Sequence, residues 1–297
     1  MKRDLPGLGF IGAGKVATAL ACGLQSKGYP VVAVASRSFS SAQKLTEFIP
    51  GCQPCRDKQQ VVDSADIIFI TTPDDVIARV LEDLKWQPGK SAVHCSGADS
   101  SELLKKAVSD SAAVGVFHPL QTFAGAEQAK NSLAGITFSI EAQEPLMAQL
   151  KSMARALGGR CIVLKPEDRA LYHVSAVMVS NYLVTLVKLS TDLWAGFGLS
   201  RQDAVRALVP LIKGTVNNIE TVGLPGCLTG PISRGDTGTL KKHLYALGEG
   251  HDDIISAYRE LGLKTVPVAL EKGRIDALKA QEILSVLENY VAERSNT

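Results

Sequence analysis

The first 164 residues alternate short apolar runs with amphipathic stretches, whereas the remainder carries only helix-period patterning. Runs such as Ile67-Ile68-Phe69-Ile70 have the length and continuity of strands buried on both faces, as in a parallel sheet covered by helices. The pattern predicts strands at 7–11, 31–35, 66–70, 92–95, 112–117, 135–140 and 160–164, with an edge-proximal third strand around residues 52–55. Helices are expected over 15–27, 41–48, 74–84 and 143–157.

After Leu164 the strand signal stops. Lys165-Pro166 breaks the chain, and helix-period segments follow at about 167–197, 201–222, 237–247, 252–261 and 276–294, with Pro225, Pro231 and several glycines at the turns. The expected organisation is an α/β domain with a doubly wound parallel sheet over residues 1–164 and an all-helical domain over 165–297. The most apolar stretch, 174–187, is interrupted by Ser175, Ser180, Asn181 and Thr185, which predicts a buried helix and not a membrane span.

One local motif gives the sheet a purpose. After the first predicted strand comes Gly12-Ala13-Gly14-Lys15-Val16-Ala17, the G-x-G-x-x-A form of the dinucleotide fingerprint. Gly12 permits the tight turn, Gly14 lets the backbone approach a pyrophosphate, and the small Ala17 lets the helix pack on its strand. The pyrophosphate would sit at the helix N-terminus, where free N–H groups and the dipole favour an anion. The setting (strand before, helix after, within a βαβ unit) is what gives such a match its meaning and predicts a Rossmann domain. The second strand ends not in an acidic residue but in Ser36-Arg37-Ser38. A guanidinium between two hydroxyls suits a 2′-phosphate, so NADPH is the expected cofactor.

Composition narrows the remaining classes. The chain has 297 residues, 45% of them hydrophobic, with a formal net charge of +2, too small for a nucleic-acid footprint. Met1-Lys2-Arg3-Asp4 leads directly into the first predicted strand, so no secretory signal is expected. Six scattered cysteines form no disulfide framework, and cytoplasmic localisation is the expectation. Cys52 and Cys55 form a C-x-x-C pair, but no second pair stands at metal-site spacing. Its predicted place in the edge-proximal strand, far from the cleft, favours a structural role over a redox dithiol.

Three further strings carry a family resemblance: His94-Cys95-Ser96-Gly97, His118-Pro119-Leu120-Gln121-Thr122-Phe123 and Gly230-Pro231-Ile232-Ser233-Arg234-Gly235-Asp236. Over nearly its whole length the chain resembles the Rossmann-like oxidoreductases with a helical C-terminal domain of unknown function, relatives of ketopantoate reductase and pyrroline-5-carboxylate reductase. The resemblance implies a nicotinamide-dependent reductase, dimeric through its helical domain, with ketopantoate among the substrates of some members. One departure matters. The hydroxyacid dehydrogenases and ketopantoate reductases carry a Lys and an Asn four residues apart on the first long helix. Here that helix carries His173 and Asn181 and no matching Lys, so the proton donor does not transfer.

Ligands of open α/β sheets bind outside the carboxyl ends of the strands. Thr71, Thr72 and Pro73 are expected to border the cofactor ribose, and His94, Ser96 and His118 to face the nicotinamide and substrate, unless either histidine instead bonds the loop backbone. On a continuous helix at ~100° per residue, His173, Ser180 and Asn181 share one arc and line the opposite wall, or else they serve packing. His173 is the expected proton donor, with Asn181 and Ser96 holding the reacting oxygen. Arg234 either clamps a substrate carboxylate or pairs with Asp236. The expected reaction is hydride transfer from NADPH to a small anionic 2-keto acid by a homodimer without nucleic-acid or membrane partners. An imine reductase similar to the pyrroline-5-carboxylate enzymes and a non-catalytic NADPH sensor are the alternatives.

Overall fold

The computed structural model describes residues 5–123, 132–248 and 250–294; Met1–Asp4, on which the expectation about a leader rests, lies outside them. In chain order the strands are β1 (Leu8–Ile11), β2 (Val31–Ala35), β3 (Gln53–Cys55), β4 (Ile67–Ile70), β5 (Ser91–His94), β6 (Ala113–Pro119), β7 (Thr137–Ala142) and β8 (Arg160–Val163). They form one sheet ordered β3-β2-β1-β4-β5-β6-β7-β8. All pairings from β3 to β6 are parallel, as the continuous apolar runs require. The sheet is not parallel throughout, however: β7 runs antiparallel to β6, and β8 parallel to β7. Strand order reverses between β1 and β4, which opens the crevice of a doubly wound fold beside the glycine turn.

Strand alternation divides the core between the two faces. On one face Phe10, Phe69, Phe117 and Phe138 are fully buried, with successive ring centroids 5.1, 5.9 and 4.6 Å apart. Their neighbours Ile11, Ile68 and Ile70 point to the other face, against Val61, Leu81 and Trp86. This two-sided burial holds the strand ends, and the loops that leave them, in fixed positions.

Beyond β8 the described chain is helical, but the segmentation differs from expectation. The single helix expected over 167–197 is two, Arg169–Val179 and Asn181–Trp194, which part at Ser180, where the backbone is distorted to φ −108° and ψ −70°. Helices Arg201–Val222, Thr237–Leu247 and Ala277–Arg294 follow close to expectation. The helix expected to stop at 261 runs from Asp252 to Glu271 through Pro267, held by the buried Val266 and Ala269 on either side of the proline.

The chain divides into two compact units, Met1–Tyr182 and Leu183–Thr297. Composition changes at residue 165, but Arg169–Val179 belongs to the sheet unit because Arg169 is rooted in it. The expectation that 174–187 forms a buried helix is not met. Val179 is 74% exposed and Val184 70%, and by length and composition Pro166–Phe197 could cross a membrane, with none of its apolar window buried inside the chain. The seryl, asparaginyl and threonyl interruptions argue against a membrane span, yet among the described residues most of this face stays exposed.

Candidate active site

The glycine turn has the properties that the fingerprint predicts. Gly12 sits at φ +113°, and a Cβ there would lie 2.7 Å from the Thr71 carbonyl, so only glycine fits. Thr71 returns a hydrogen bond from its Oγ1 to the Gly12 carbonyl at 3.0 Å, tying the end of β4 to the end of β1. Around Gly14, by contrast, the space a Cβ would enter is empty. Gly14 caps the Lys15–Ser26 helix with no side-chain hydrogen bond, and no acidic residue occupies the first turn. Lys15 is exposed, Val16 half-buried, and Ala17 fully buried against the sheet. The Thr72 hydroxyl oxygen is buried without a hydrogen-bond partner, and Pro73 is exposed. An uncapped helix N-terminus, open room beside it and a spare hydroxyl together fit a dinucleotide pyrophosphate and ribose. At the end of β2, Ser36 is half-buried while Arg37 and Ser38 are exposed.

Further along the same sheet edge, side chains converge on Gly97. A Cβ at Gly97 would come within 2.9 Å of His118 Nε2 and closer still to His173 Nδ1, so the two imidazoles meet over this backbone position. Their ring centroids stand 6.2 Å apart, nearly perpendicular. His118 Nδ1 is 2.9 Å from the Tyr172 hydroxyl, while His173 Nδ1 has no hydrogen-bond partner. Burial, then His173 and Arg169, push the His118 pKa down to about 4, and burial raises that of Tyr172. Both are therefore neutral at pH 7. The Tyr172 contact admits two tautomers of neutral His118; in the one where the hydroxyl donates to Nδ1, the His118 proton sits on Nε2, toward Gly97.

The support beneath this pair was not foreseen. Arg169 is fully buried; its Nε donates to the Asp99 carbonyl and its Nη2 to the Ser96 carbonyl at 2.9 Å, with Glu141 3.7 Å from Nη1. It thus ties the start of the Arg169–Val179 helix to the loop after β5 and sets where Tyr172 and His173 stand. Tyr172 and Arg169 lack any motif signal. A buried arginine in particular is legible only once the loop it bonds is in place.

Two expected site residues are placed differently. His94 is fully buried: Nε2 donates to the Ser100 carbonyl at 2.9 Å and Nδ1 accepts the Ser96 N–H at 3.2 Å, so both nitrogens serve the loop. It does not face the nicotinamide, because its own strand-end loop folds over it. Ser96 is 2% exposed, and its Oγ lies 2.8 Å from both Asp74 Oδ2 and Asp99 Oδ2, which leaves it unable to hold a reacting oxygen.

Beside the histidine pair is a cleft of about 470 Å³ within the sheet unit, lined among others by His118, Gln121, Thr122, His173, Ser180 and Asn181. The polar residues of the interrupted helix thus reach one cavity although the helix breaks at Ser180. A larger cavity of about 610 Å³ lies within the helical unit, walled by Leu186, Leu193, Leu247 and Ile254, with a His243–Tyr258 hydrogen bond of 2.8 Å. It is mostly apolar and draws nothing from the strand ends, so the smaller cleft is the better candidate for chemistry. Arg234 is exposed, and Asp236 is occupied with Thr239, accepting from its N at 2.9 Å and its Oγ1 at 2.7 Å. Among the described residues no cluster of potential metal ligands occurs.

A doubly wound sheet with an open glycine turn and a protic cleft along the same edge defines a dinucleotide-dependent oxidoreductase. Comparison with known proteins specifies the class. Residues 7–96 match the family described as NADP oxidoreductase, coenzyme F420-dependent, and residues 136–265 match a domain of unknown function (DUF2520). The chain is an NADP-dependent oxidoreductase. Among solved structures it is similar to a Bacteroides fragilis protein described as a candidate NADP oxidoreductase, at 25% identity and TM-score 0.72 over 89% of this chain and 99% of that one. It is also similar to a Thermotoga maritima protein, at 29% identity and TM-score 0.68 over 85% and 98%. A 1-pyrroline-5-carboxylate reductase of Streptococcus pyogenes shares the fold at 14% identity, TM-score 0.61, over 95% and 100%. A sequence comparison with curated proteins finds no match.

Proposed function

We propose that the protein uses NADPH to reduce the keto carbon of a small anionic 2-keto acid, ketopantoate-like in size, held in the cleft beside His118 and His173. Gly12, Gly14, Lys15, Val16, Ala17, Thr71, Thr72 and Pro73 would hold the pyrophosphate and ribose, and Ser36, Arg37 and Ser38 the 2′-phosphate. When bound, the cofactor supplies a hydride; what remains for the chain is to orient the carbonyl and deliver a proton to its oxygen. The observation that supports this reading is the convergence of the two imidazoles over Gly97.

In this reading neutral His118, its Nε2–H fixed by Tyr172, donates a hydrogen bond to the carbonyl oxygen and polarises it. His173 is the proposed proton donor, with Asn181 and Ser180 as further polar contacts in the same cleft. The polarising role assigned to Ser96 passes to His118. A carbonyl oxygen needs a proton as the hydride arrives, whereas an iminium already carries one. A neutral cyclic imine must first take up that proton on nitrogen, so the same protic cluster would also serve the second reading, an imine reductase.

The assembly proposed is a homodimer. The Arg201–Val222 helix has one buried residue, Ala204, while Leu211, Val216 and Val222 are more than half exposed. Together with the uncovered 174–187 face, that is more apolar surface than a stable monomer ordinarily leaves in water. Light scattering should give about twice the 31.6 kDa chain mass. Six free cysteines fit a reducing compartment such as the cytoplasm.

The deciding experiment is NADPH oxidation against a panel of 2-keto acids and cyclic imines. Turnover of a keto acid supports the proposal, and turnover of imines alone moves the substrate class to C=N bonds. Tight NADPH binding with no turnover of any member turns the reading to a sensor.

A further inference from the structure

The 2′-phosphate end of the cofactor site holds a second arginine that no motif marks. β2 and β3 pair in parallel with Ala35 opposite Cys55, so Ser36-Arg37 and Arg56 leave neighbouring strands at the same sheet edge. The Arg56 guanidinium carbon lies 4.1 Å from the centroid of the Phe39 ring. Phe39 opens the helix that follows Arg37-Ser38, so the stack fastens Arg56 to the segment expected to carry the phosphate. Neither arginine forms an ion pair among the described residues. The acid next in sequence, Asp57, is occupied as a helix cap, its Oδ1 accepting the Gln59 N–H at 2.9 Å.

Two further features make this an anion site in more than charge. Ser38 caps the eight-residue Phe39–Thr46 helix without a side-chain hydrogen bond to its backbone N–H groups, and no acidic residue lies in the first turn. The Ser38 hydroxyl instead lies 2.7 Å from that of Ser40, so both are held together at the helix start. Two guanidiniums, two hydroxyls and an uncapped helix N-terminus thus stand on one exposed rim, a donor set matched to a phosphate dianion.

We propose that Arg56 is a second anchor for the 2′-phosphate, held ready by the Phe39 ring, so that selection of NADPH over NADH is shared between two adjacent strand ends. With its central carbon over the Phe39 ring, the guanidinium keeps N–H groups that hold no hydrogen bond among the described residues and can reach an oxygen. The proposal concerns the cofactor alone and stands or falls independently of the substrate.

The test is equilibrium titration, without substrate, followed by NADPH and NADH fluorescence. The same titration is repeated by calorimetry with adenosine 2′,5′-bisphosphate and with 5′-AMP. Arg56→Gln should weaken NADPH and the bisphosphate about tenfold, with NADH and 5′-AMP changed less than twofold. Phe39→Leu should give a smaller loss of the same selectivity, because the arginine stays but loses its fixed position. Arg56→Lys should fall between Gln and wild type. Circular dichroism checks that the variants fold; the Arg56 side chain is exposed, so they should. Equal weakening of NADPH and NADH in Arg56→Gln, or no change in either, would overturn the assignment and leave Arg37 as the sole anchor.

Discussion

The glycine turn and the histidine cluster occupy the same edge of one sheet and are built in opposite ways. The turn is made from consecutive residues, Gly12 to Ala17, locked by Thr71 and by the Ala35 carbonyl, which accepts the Gly12 N–H at 2.8 Å. The cluster draws on the loop after β5, the end of β6 and a helix that starts more than fifty residues later, and it is held by the buried Arg169. A site written in one stretch of chain fails locally. A site assembled from distant pieces fails through its supports as well as its reacting groups.

The largest expected effect breaks the first region. Gly12→Val would place a β-branched residue at φ +113° and drive its Cβ into the Thr71 carbonyl. Such strain amounts to about 1–3 kcal/mol before the steric clash is added. NADPH affinity measured by fluorescence should fall by more than a hundredfold. If Gly12→Val binds NADPH normally, the turn is not the cofactor site.

The next change sharpens the contrast, because it should spare binding. Gly97→Ala pushes a methyl group between His118 Nε2 and His173 Nδ1, and His173→Ala removes one of them. Both variants should bind NADPH within about twofold of wild type, while turnover falls about a hundredfold, the usual cost of losing a positioned proton donor. Asn181→Ala should fall by a similar factor. His173→Gln separates roles: retained activity would make His173 an orienting group. Full activity in both Gly97→Ala and His173→Ala would move the chemistry out of this cleft.

A smaller effect appears in stability. Burial lowers the pKa of His118 from 6.5 to about 4, and burial also lowers that of His94. Between those values the unfolded chain binds protons that the folded chain does not, so stability is full above about pH 6.5 and declines as pH falls toward 4. Urea midpoints measured from pH 7.5 to 4.5 should show this slope, and His118→Asn should flatten it in part. A midpoint that is unchanged by pH would mean that neither imidazole is neutral by burial.

What could be read from the sequence follows the same division. The strands β1, β2 and β4 to β6 are apparent as apolar runs, and the turn as a glycine spacing, because both are local patterns, whereas β3, Gln53-Pro54-Cys55, is placed only by the order a Rossmann sheet requires. The break at Ser180 left no such trace, since serine is tolerated within helices. His94 and Ser96 stood at a strand end like true site residues. Their burial depends on how the 95–100 loop folds back, which spacing does not encode. Tyr172 and Arg169 were missed for the same reason: each acquires its role from a partner far away in sequence. The outward apolar face of 174–187 was read as buried because a single sequence does not say which chain would cover it.

The smallest effect is expected where a motif looked most like chemistry. Cys52 precedes and Cys55 ends the edge strand β3, both are buried, and burial with Cys55 nearby pushes the Cys52 pKa up to about 12. Burial raises Cys55 as well, with Asp57 adding to it. A redox dithiol needs one thiolate at working pH and access to its partner, and neither thiol meets those conditions near neutrality. Changing both to Ser should therefore leave NADPH affinity within twofold, and turnover, once a substrate is found, nearly intact. In the wild-type protein a thiol reagent at pH 7.5 should label the pair more slowly in the folded state than after denaturation. Because β3 also carries the segment leading to Arg56, the double variant tests that strand's placement too: a selective loss of NADPH over NADH would mean the thiols help to hold it. Loss of turnover with cofactor binding intact would instead mean that the pair takes part in the reaction after all.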